Sequence, residues 1–128
     1  MAPRIRYIDL RLGSKCQLAC VMCSPHDSSN WVKEHKKIYP TLENDNLRKS
    51  MAWEKESGKL AWSGGSYNWH KKNPKFLDEL YETLPHLRQL YFAGGEPLIM
   101  DEHYMLLEKR IEDRLAKNIE VGYNSNGK

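Results

Sequence analysis

Three cysteines are the residues of this chain with the clearest chemistry. Cys16, Cys20 and Cys23 lie within eight residues, and the 128-residue sequence has no other cysteine. An odd number of thiols in so short a cluster argues against a disulfide framework. Thiolates separated by three and then two residues can converge on one small metal centre if the loop curls around it. The spacing therefore predicts a metal or redox site in this loop.

Two kinds of metal centre fit this spacing. Three thiolates are one short of the usual four for an iron–sulfur cluster, so a [4Fe–4S] cluster held by them would leave one iron open to a small molecule. His26 follows Cys23 closely, and with it the three thiolates could instead form a closed Cys₃His zinc site. The spacing alone leaves both centres open.

Composition restricts the class of protein. The chain is 40% hydrophobic and 29% charged, with a net charge of +3. No apolar run approaches the roughly 20 residues that span a bilayer, and the first residues lack the apolar core of a secretory signal. We therefore expect one cytoplasmic domain, residues 1–128, without membrane contact. This small positive charge does not by itself indicate a nucleic-acid partner, and we expect none.

The elements that must position the cysteines follow from hydrophobic periodicity. The predicted strands are 4–12, 87–93 and 119–123, and the predicted helices are about 30–38, 74–84 and 101–117. Candidate N-cap residues lie at 27–30, at Asn73 and at Asp101. Alternating strands and helices predict an α/β fold with a parallel sheet and right-handed crossovers.

Residues 41–73 have no clear periodicity, and we predict an inserted loop with some helix. Its aromatic residues, scattered among lysines around Ser63-Gly64-Gly65-Ser66, include Trp53, Trp62, Tyr67 and Trp69. Aromatic rings beside cations suit stacking on single-stranded nucleic acid. The small net charge instead favours an insertion whose tryptophans pack onto the sheet.

Three unusual loops each begin where a predicted strand ends. The cysteine loop follows the first strand, Gly94-Gly95-Glu96-Pro97 the second, and Asn124-Ser125-Asn126-Gly127 the third. Functional loops of parallel sheets gather at the carboxyl ends of the strands. We therefore expect the three loops to share one rim of the sheet.

Other polar residues have less specific predictions. Asp9 and Arg11 alternate with the apolar face of the first strand, so they point into a barrel interior or form a strand-edge salt bridge. The remaining histidines share no ligand spacing and are expected on the surface or on helices. They are His35, His70, His86 and His103.

The segment from Cys16 to Cys23, CQLACVMC, resembles the CxxxCxxC signature of the radical S-adenosylmethionine (radical SAM) superfamily. Gly94-Gly95-Glu96-Pro97 is similar to its second hallmark, and Tyr123-Asn124-Ser125-Asn126-Gly127 to the Asn-Thr-Asn-Gly segment of its third strand. The segment Cys-Ser-Pro-His at residues 23–26, Trp31 and the stretch Tyr-Phe-Ala-Gly-Gly-Glu-Pro at residues 91–97 are most similar to the branch with a C-terminal twitch domain. The resemblance covers nearly the whole chain except the insertion.

The resemblance implies a set of ligands. Cys16, Cys20 and Cys23 would hold three irons of a [4Fe–4S] cluster, and S-adenosylmethionine would chelate the fourth. The turn formed by Gly94, Gly95, Glu96 and Pro97 would meet the methionine amino group. The backbone of Met22 would contact adenine. The cofactor or substrate would face Asn124, Ser125 and Asn126.

The resemblance also implies an activity. One electron from an external flavodoxin-like or ferredoxin-like donor would enter the cluster and cleave S-adenosylmethionine reductively. The resulting 5′-deoxyadenosyl radical would abstract hydrogen from a peptide, protein or small-molecule substrate. His26 would then be a loop-capping residue rather than a metal ligand.

The superfamily barrel has six βα units, and this sequence contains about three. We expect the N-terminal portion of a partial parallel (β/α)₆ barrel. One sheet edge would then expose unpaired backbone, which favours association with other chains. The isolated chain is expected to associate in solution, and sedimentation velocity measures this. A monomer with one sharp, cooperative unfolding transition would contradict it.

Overall fold

The computed structural model describes residues 3–51, 53–62 and 69–128. In chain order, the helices and strands of these residues are β1 (Tyr7–Arg11), α1 (Trp31–Ile38), α2 (Asp45–Ser50), β2 (Trp53–Glu56), β3 (Lys59–Trp62), α3 (Trp69–Lys72), α4 (Phe76–Thr83), β4 (Gln89–Ala93), α5 (Asp101–Glu112) and β5 (Glu120–Tyr123). Short 3₁₀ turns lie at Tyr39–Thr41, Leu84–His86, Pro97–Ile99 and Ala116–Asn118. In the described ranges, no helix has the length and apolar character to cross a membrane.

The strands β1, β4 and β5 form one parallel sheet, with β4 in the centre. Asp9 pairs with Tyr91, and Tyr91 pairs with Gly122. This register brings the carboxyl ends of the three strands to the same edge of the sheet. The predicted α/β fold with a parallel sheet is confirmed, and each of the three strands of this sheet lies within its predicted range.

One face of the sheet holds the hydrophobic core. Side chains alternate between the faces of a strand, which places Leu10, Leu90 and Phe92 together on one side. They pack into one cluster with Leu80 of α4 and Leu106 of α5. Burial of side chains of this size contributes roughly 1.5–3 kcal/mol each. The two helices therefore fix the sheet from one side.

The opposite face of the sheet carries polar side chains. Arg11 Nε lies 3.4 Å from Asp9 Oδ1, with the two side chains 65% and 36% exposed. The strand-edge ion pair is thus present, and such exposed pairs stabilise a protein by about 1 kcal/mol at most. In the centre of this face Tyr91 lies against Gly122, where an added Cβ would approach the Tyr91 ring to 2.6 Å.

The predicted helix starts are only partly correct. Asn30 has helical backbone angles and no side-chain cap hydrogen bond, although capping requires a non-helical residue whose side chain folds back. Asp101 is the first residue of α5 and not its cap. Asn73 Oδ1 accepts from Lys75 N–H at 3.3 Å, just before α4. The helix α5 ends at Glu112 and does not reach residue 117, since Arg114 turns the chain with φ +58°.

The insertion contains an antiparallel hairpin that the sequence analysis did not predict. Strands β2 and β3 pair with Trp53 opposite Trp62. Ser57 (φ +48°) and Gly58 (φ +76°) form the turn, as two consecutive positive-φ residues do in hairpin turns. The helices α2 and α3 supply the predicted helical content. The Ser63–Ser66 segment and Tyr67 of that prediction lie outside the described residues.

The hairpin tryptophans belong to a small aromatic cluster. Trp53 is buried, and its ring centroid lies 5.5 Å from that of Trp62. The ring centroid of Trp62 lies 4.8 Å from that of His26 in the cysteine loop, and the Tyr39 ring contacts Trp53. The prediction that these two tryptophans pack onto the parallel sheet is wrong, because the hairpin packs against the cysteine loop and the residues after α1.

Trp69 makes a different contact, at the edge of the parallel sheet. Its indole N–H donates to the Arg11 carbonyl at 3.1 Å, and its ring packs edge-on against Phe76 at 4.6 Å. For this tryptophan the predicted packing against the sheet is correct. Trp69 therefore covers part of the free edge of β1.

Candidate functional site

The three loops meet around a cavity of ≈ 370 Å³ at the carboxyl ends of β1, β4 and β5. Nine sequence-predicted residues line it: Cys16, Cys20, Met22, Cys23, Gly94, Gly95, Asn124, Ser125 and Asn126. Glu96 and Pro97 are buried beside them. Residues that are distant in sequence therefore meet on the rim that the strand order predicts.

The cysteine loop is held by the residues that lead into α1. Ser28 Oγ donates to the Leu18 carbonyl at 2.5 Å. The Trp31 indole N–H donates to the Cys20 carbonyl at 2.9 Å, and Ser29 N–H donates to the Ser14 carbonyl at 2.7 Å. The sequence indicates these serines only as candidate helix caps, and their contacts with the cysteine loop have no local sequence signal. These bonds hold the backbone of the cysteine loop against the residues at the start of α1.

The three thiols are free and partly exposed. Burial, together with the nearby charges of Cys20, Asp27 and Cys16, raises the pKa of the Cys23 thiol above its usual value. A bound metal would supply the positive charge that lets crowded thiolates ionise together. Sulfur ligands of this kind suit zinc and iron–sulfur clusters, so the donor set fits either of the predicted centres.

His26 is placed differently from the cysteines. Its ring packs edge-on against Trp62, with the ring planes at 72°, and its backbone N–H donates to Ser24 Oγ at 3.3 Å. His26 is not among the residues that line the cavity. Across residues 3–51, 53–62 and 69–128, no three or more His, Cys, Asp or Glu side chains are already arranged around a single ion.

The turn Gly94-Gly95-Glu96-Pro97, the glycine turn, packs against the cysteine loop. Gly94 and Gly95 have φ of +78° and +57°, the left-handed region that glycine adopts readily. A Cβ on Gly95 would clash with the Lys15 carbonyl oxygen and lie 2.8 Å from the Ser14 carbonyl carbon. Glu96 N–H donates to the same Lys15 oxygen at 2.8 Å. The glycines therefore allow two loops to meet, and this role comes in addition to the predicted approach to a ligand.

Glu96 is a buried link between two loops. Its side chain is 0% exposed. One carboxylate oxygen accepts from Ser125 Oγ at 2.8 Å and Leu98 N–H at 3.2 Å, and the other accepts from Asn126 N–H at 2.8 Å. Burial alone would raise the pKa of Glu96, but these hydrogen bonds and His103 hold that pKa below its usual value. Its carboxylate is thus already engaged, and Gly94 and Gly95 present the backbone of this turn to the cavity.

Asn126 connects the third loop to the first. Its Nδ2 donates to Cys16 Sγ at 3.7 Å, and its Oδ1 accepts from Gln17 Nε2 at 3.3 Å. Asn124 N–H donates to the Phe92 carbonyl at 2.8 Å, which extends the pairing of β4 and β5. Gln17 was not predicted as a site residue. Its position directly after Cys16 is the sequence feature that could have indicated it.

Two helix histidines are more buried than the sequence indicated. His103 Nε2 lies 2.8 Å from Tyr123 Oη, below the third loop. Burial lowers the pKa of His103, while the charge of Glu96 acts in the opposite direction. His70 Nε2 lies 2.9 Å from Glu102 Oε1. Both residues lie on helices as predicted, but they serve as internal contacts and not as surface side chains.

Comparisons with known proteins return nothing for this chain: no family model, curated protein or solved structure matches it.

Proposed function

We propose that this chain is the N-terminal part of a radical SAM enzyme and binds a [4Fe–4S] cluster through Cys16, Cys20 and Cys23. The single observation that carries the proposal is the shared cavity. It is lined by the three cysteines, by Gly94 and Gly95, and by the third loop (residues 124–126). These segments are far apart in sequence. The sheet would then be the first half of a partial (β/α)₆ barrel.

The donor set supports an incompletely ligated cluster. Three cysteines line the cavity and His26 does not, so three protein ligands are at hand where an iron–sulfur cluster usually takes four. When bound, the cluster and S-adenosylmethionine would supply the electron and the 5′-deoxyadenosyl radical that abstracts hydrogen from substrate. The protein would supply position and exclusion of water.

The residues of the chain have distinct parts in binding. Gly94 and Gly95 carry no side chain, so the backbone acceptors of this turn can approach a bound amino group. Met22 is 92% exposed beside the cavity, which leaves its backbone region open to an adenine ring. Arg11 also lines the cavity and offers a guanidinium to an anionic group of the ligand.

The polar face of the sheet would be the substrate side of the barrel. Asp9 and Arg11 on β1 and Tyr91 on β4 share this face, and the first two are exposed. We propose a peptide, protein or small-molecule substrate there, a flavodoxin-like or ferredoxin-like electron donor and a cytoplasmic location. The proposal includes neither a membrane nor a nucleic acid.

Anaerobic reconstitution with iron and sulfide tests the proposal, with His26→Ala as the deciding variant. We expect a brown protein whose reduced electron paramagnetic resonance (EPR) spectrum changes when S-adenosylmethionine is added. His26→Ala should retain the full iron content, because His26 packs against Trp62 and does not line the cavity. Elemental analysis measures iron and zinc per chain.

The matched control is His86→Ala, which removes a histidine that contacts Arg4, far from the cysteines in sequence. Both histidine variants should equal the parent protein in iron content. A colourless protein with one zinc per chain, lost in His26→Ala and kept in His86→Ala, would show the alternative: a Cys₃His-stabilised binding module with a Trp/Lys ligand surface.

A further inference from the structure

We propose that Asn126 sets the reduction potential of the cluster by donating a hydrogen bond to Cys16 Sγ, and that Glu96 positions it for this purpose. The inference rests on the proposed function, since it concerns the cluster that Cys16 would hold. It adds a role for a residue of the third loop. Asn126 would act on the cluster through its protein ligand, whereas the resemblance only places it near the cofactor or substrate.

The contacts of the Asn126 amide fix its orientation. Its Oδ1 accepts from two donors, Gln17 Nε2 at 3.3 Å and Lys128 N–H at 3.0 Å. A flipped amide would direct its NH₂ group at both of these donors and its oxygen at the sulfur. The observed orientation is therefore the only one that satisfies all three contacts, and it directs Nδ2 at Cys16 Sγ, 3.7 Å away.

Cys16 Sγ receives a second donor from the loop itself. Leu18 N–H donates to this sulfur at 3.4 Å. The backbone donor is present whatever the side chains are, whereas the Asn126 donor depends on one residue that comes from the opposite end of the chain. Asn126 is thus the donor to this sulfur that a side-chain substitution can remove while the Leu18 N–H donor stays in place.

The buried Glu96 holds the backbone of Asn126 in place. Its carboxylate accepts from Asn126 N–H and from Ser125 Oγ, both at 2.8 Å, and it is fully buried. These two bonds fix the backbone from which the Asn126 side chain extends. The glycine turn therefore reaches Cys16 through a continuous series of contacts, from Glu96 to Asn126 and from Asn126 to the sulfur.

A hydrogen bond to a ligand sulfur favours the state with more negative charge on the cluster. Reduction adds one electron, so the reduced state gains more from the donor than the oxidised state. Loss of the donor should make reduction less favourable and move the potential to more negative values. We expect the equilibrium constant for reduction to fall about tenfold, which for one electron is about 59 mV.

The experiment compares reconstituted wild-type protein with Asn126→Leu and Asn126→Asp by EPR-monitored redox titration. Leucine removes the donor and both acceptor contacts. Aspartate keeps the shape and the acceptor for Gln17 and Lys128 but has no N–H for the sulfur. We expect a negative shift of the potential in both variants, at least as large with aspartate because it adds negative charge.

Asn124→Leu is the matched control. It removes an amide that lines the same cavity and leaves the hydrogen bond from Asn126 to Cys16 Sγ in place, so the potential should move by less than about a quarter of the shift seen in Asn126→Leu. Unchanged potentials in both Asn126 variants overturn this inference and leave the proposed function standing. An equal shift in Asn124→Leu also overturns it, because general polarity would then be the cause. A wild-type chain that takes up no cluster overturns both.

Discussion

A Gly95→Ala variant is expected to lose about 3 kcal/mol or more of its free energy of unfolding and to displace the cysteine loop. Gly95 has φ +57°, where a residue with a Cβ costs roughly 1–2 kcal/mol. The new Cβ would also clash with the Lys15 carbonyl oxygen and lie 2.8 Å from the Ser14 carbonyl carbon. These are backbone atoms, so only movement of the loop relieves the contact. Urea denaturation measures the loss.

Gly58→Ala separates backbone strain from this clash. Gly58 has φ +76°, and apart from its chain neighbours no atom of the described residues lies within 4 Å of an added Cβ. Only the conformational cost remains there, so we expect a loss of roughly 1–2 kcal/mol. Equal losses in the two variants would contradict the close contact between the glycine turn and the start of the cysteine loop.

A Glu96→Ala variant is expected to lose roughly 3–5 kcal/mol of its free energy of unfolding, since each donor left unsatisfied in a buried site costs about 1–3 kcal/mol. Three donors lose their acceptor: Ser125 Oγ, Asn126 N–H and Leu98 N–H. The third loop would then separate from the glycine turn. Urea denaturation at neutral pH measures the loss. Glu82→Ala, at an exposed position on α4, should change stability by less than about 0.5 kcal/mol.

Glu96→Gln tests the charge of this residue at nearly constant volume. The pKa of Glu96 is lowered in the folded protein. Its contribution is therefore fully present above the unfolded carboxyl pKa of about 4.3 and is lost as the pH falls through the lower folded value. The stability difference between wild type and Glu96→Gln should be largest near neutral pH and narrow in acid. A difference that grows on acidification would contradict the lowered pKa.

These variants also separate two roles of the glycine turn. Both Gly95 and Glu96 join loops, so loss of iron in either variant can follow from loss of structure alone. Asn126→Leu leaves the backbone bond between Asn126 and Glu96 in place, because that bond uses the main-chain N–H. Stability and iron content should therefore be measured together on all three variants. The two measurements distinguish loss of the contacts between the loops from a change at Cys16 alone.

The hairpin in the insertion could not be predicted from composition or local pattern. Lysines and tryptophans between residues 53 and 62 carry no strong strand pattern, and the pairing of Trp53 with Trp62 appears only when the chain turns at Ser57 and Gly58. The aromatic contact with His26 then joins the hairpin to the cysteine loop. These two rings therefore pack against each other and against Tyr39 and His26.

Local pattern determined the elements and the candidate ligands. The spacing of Cys16, Cys20 and Cys23 and the alternation of β1 act over a few residues, so the sequence alone predicted a metal loop after the first of three parallel strands. The tertiary structure decided which side chains support that loop. Asn126 and Cys16 are 110 positions apart, and Asn126 and Glu96 are 30 apart. Contacts at such separations depend on strand order and register, which no local pattern encodes.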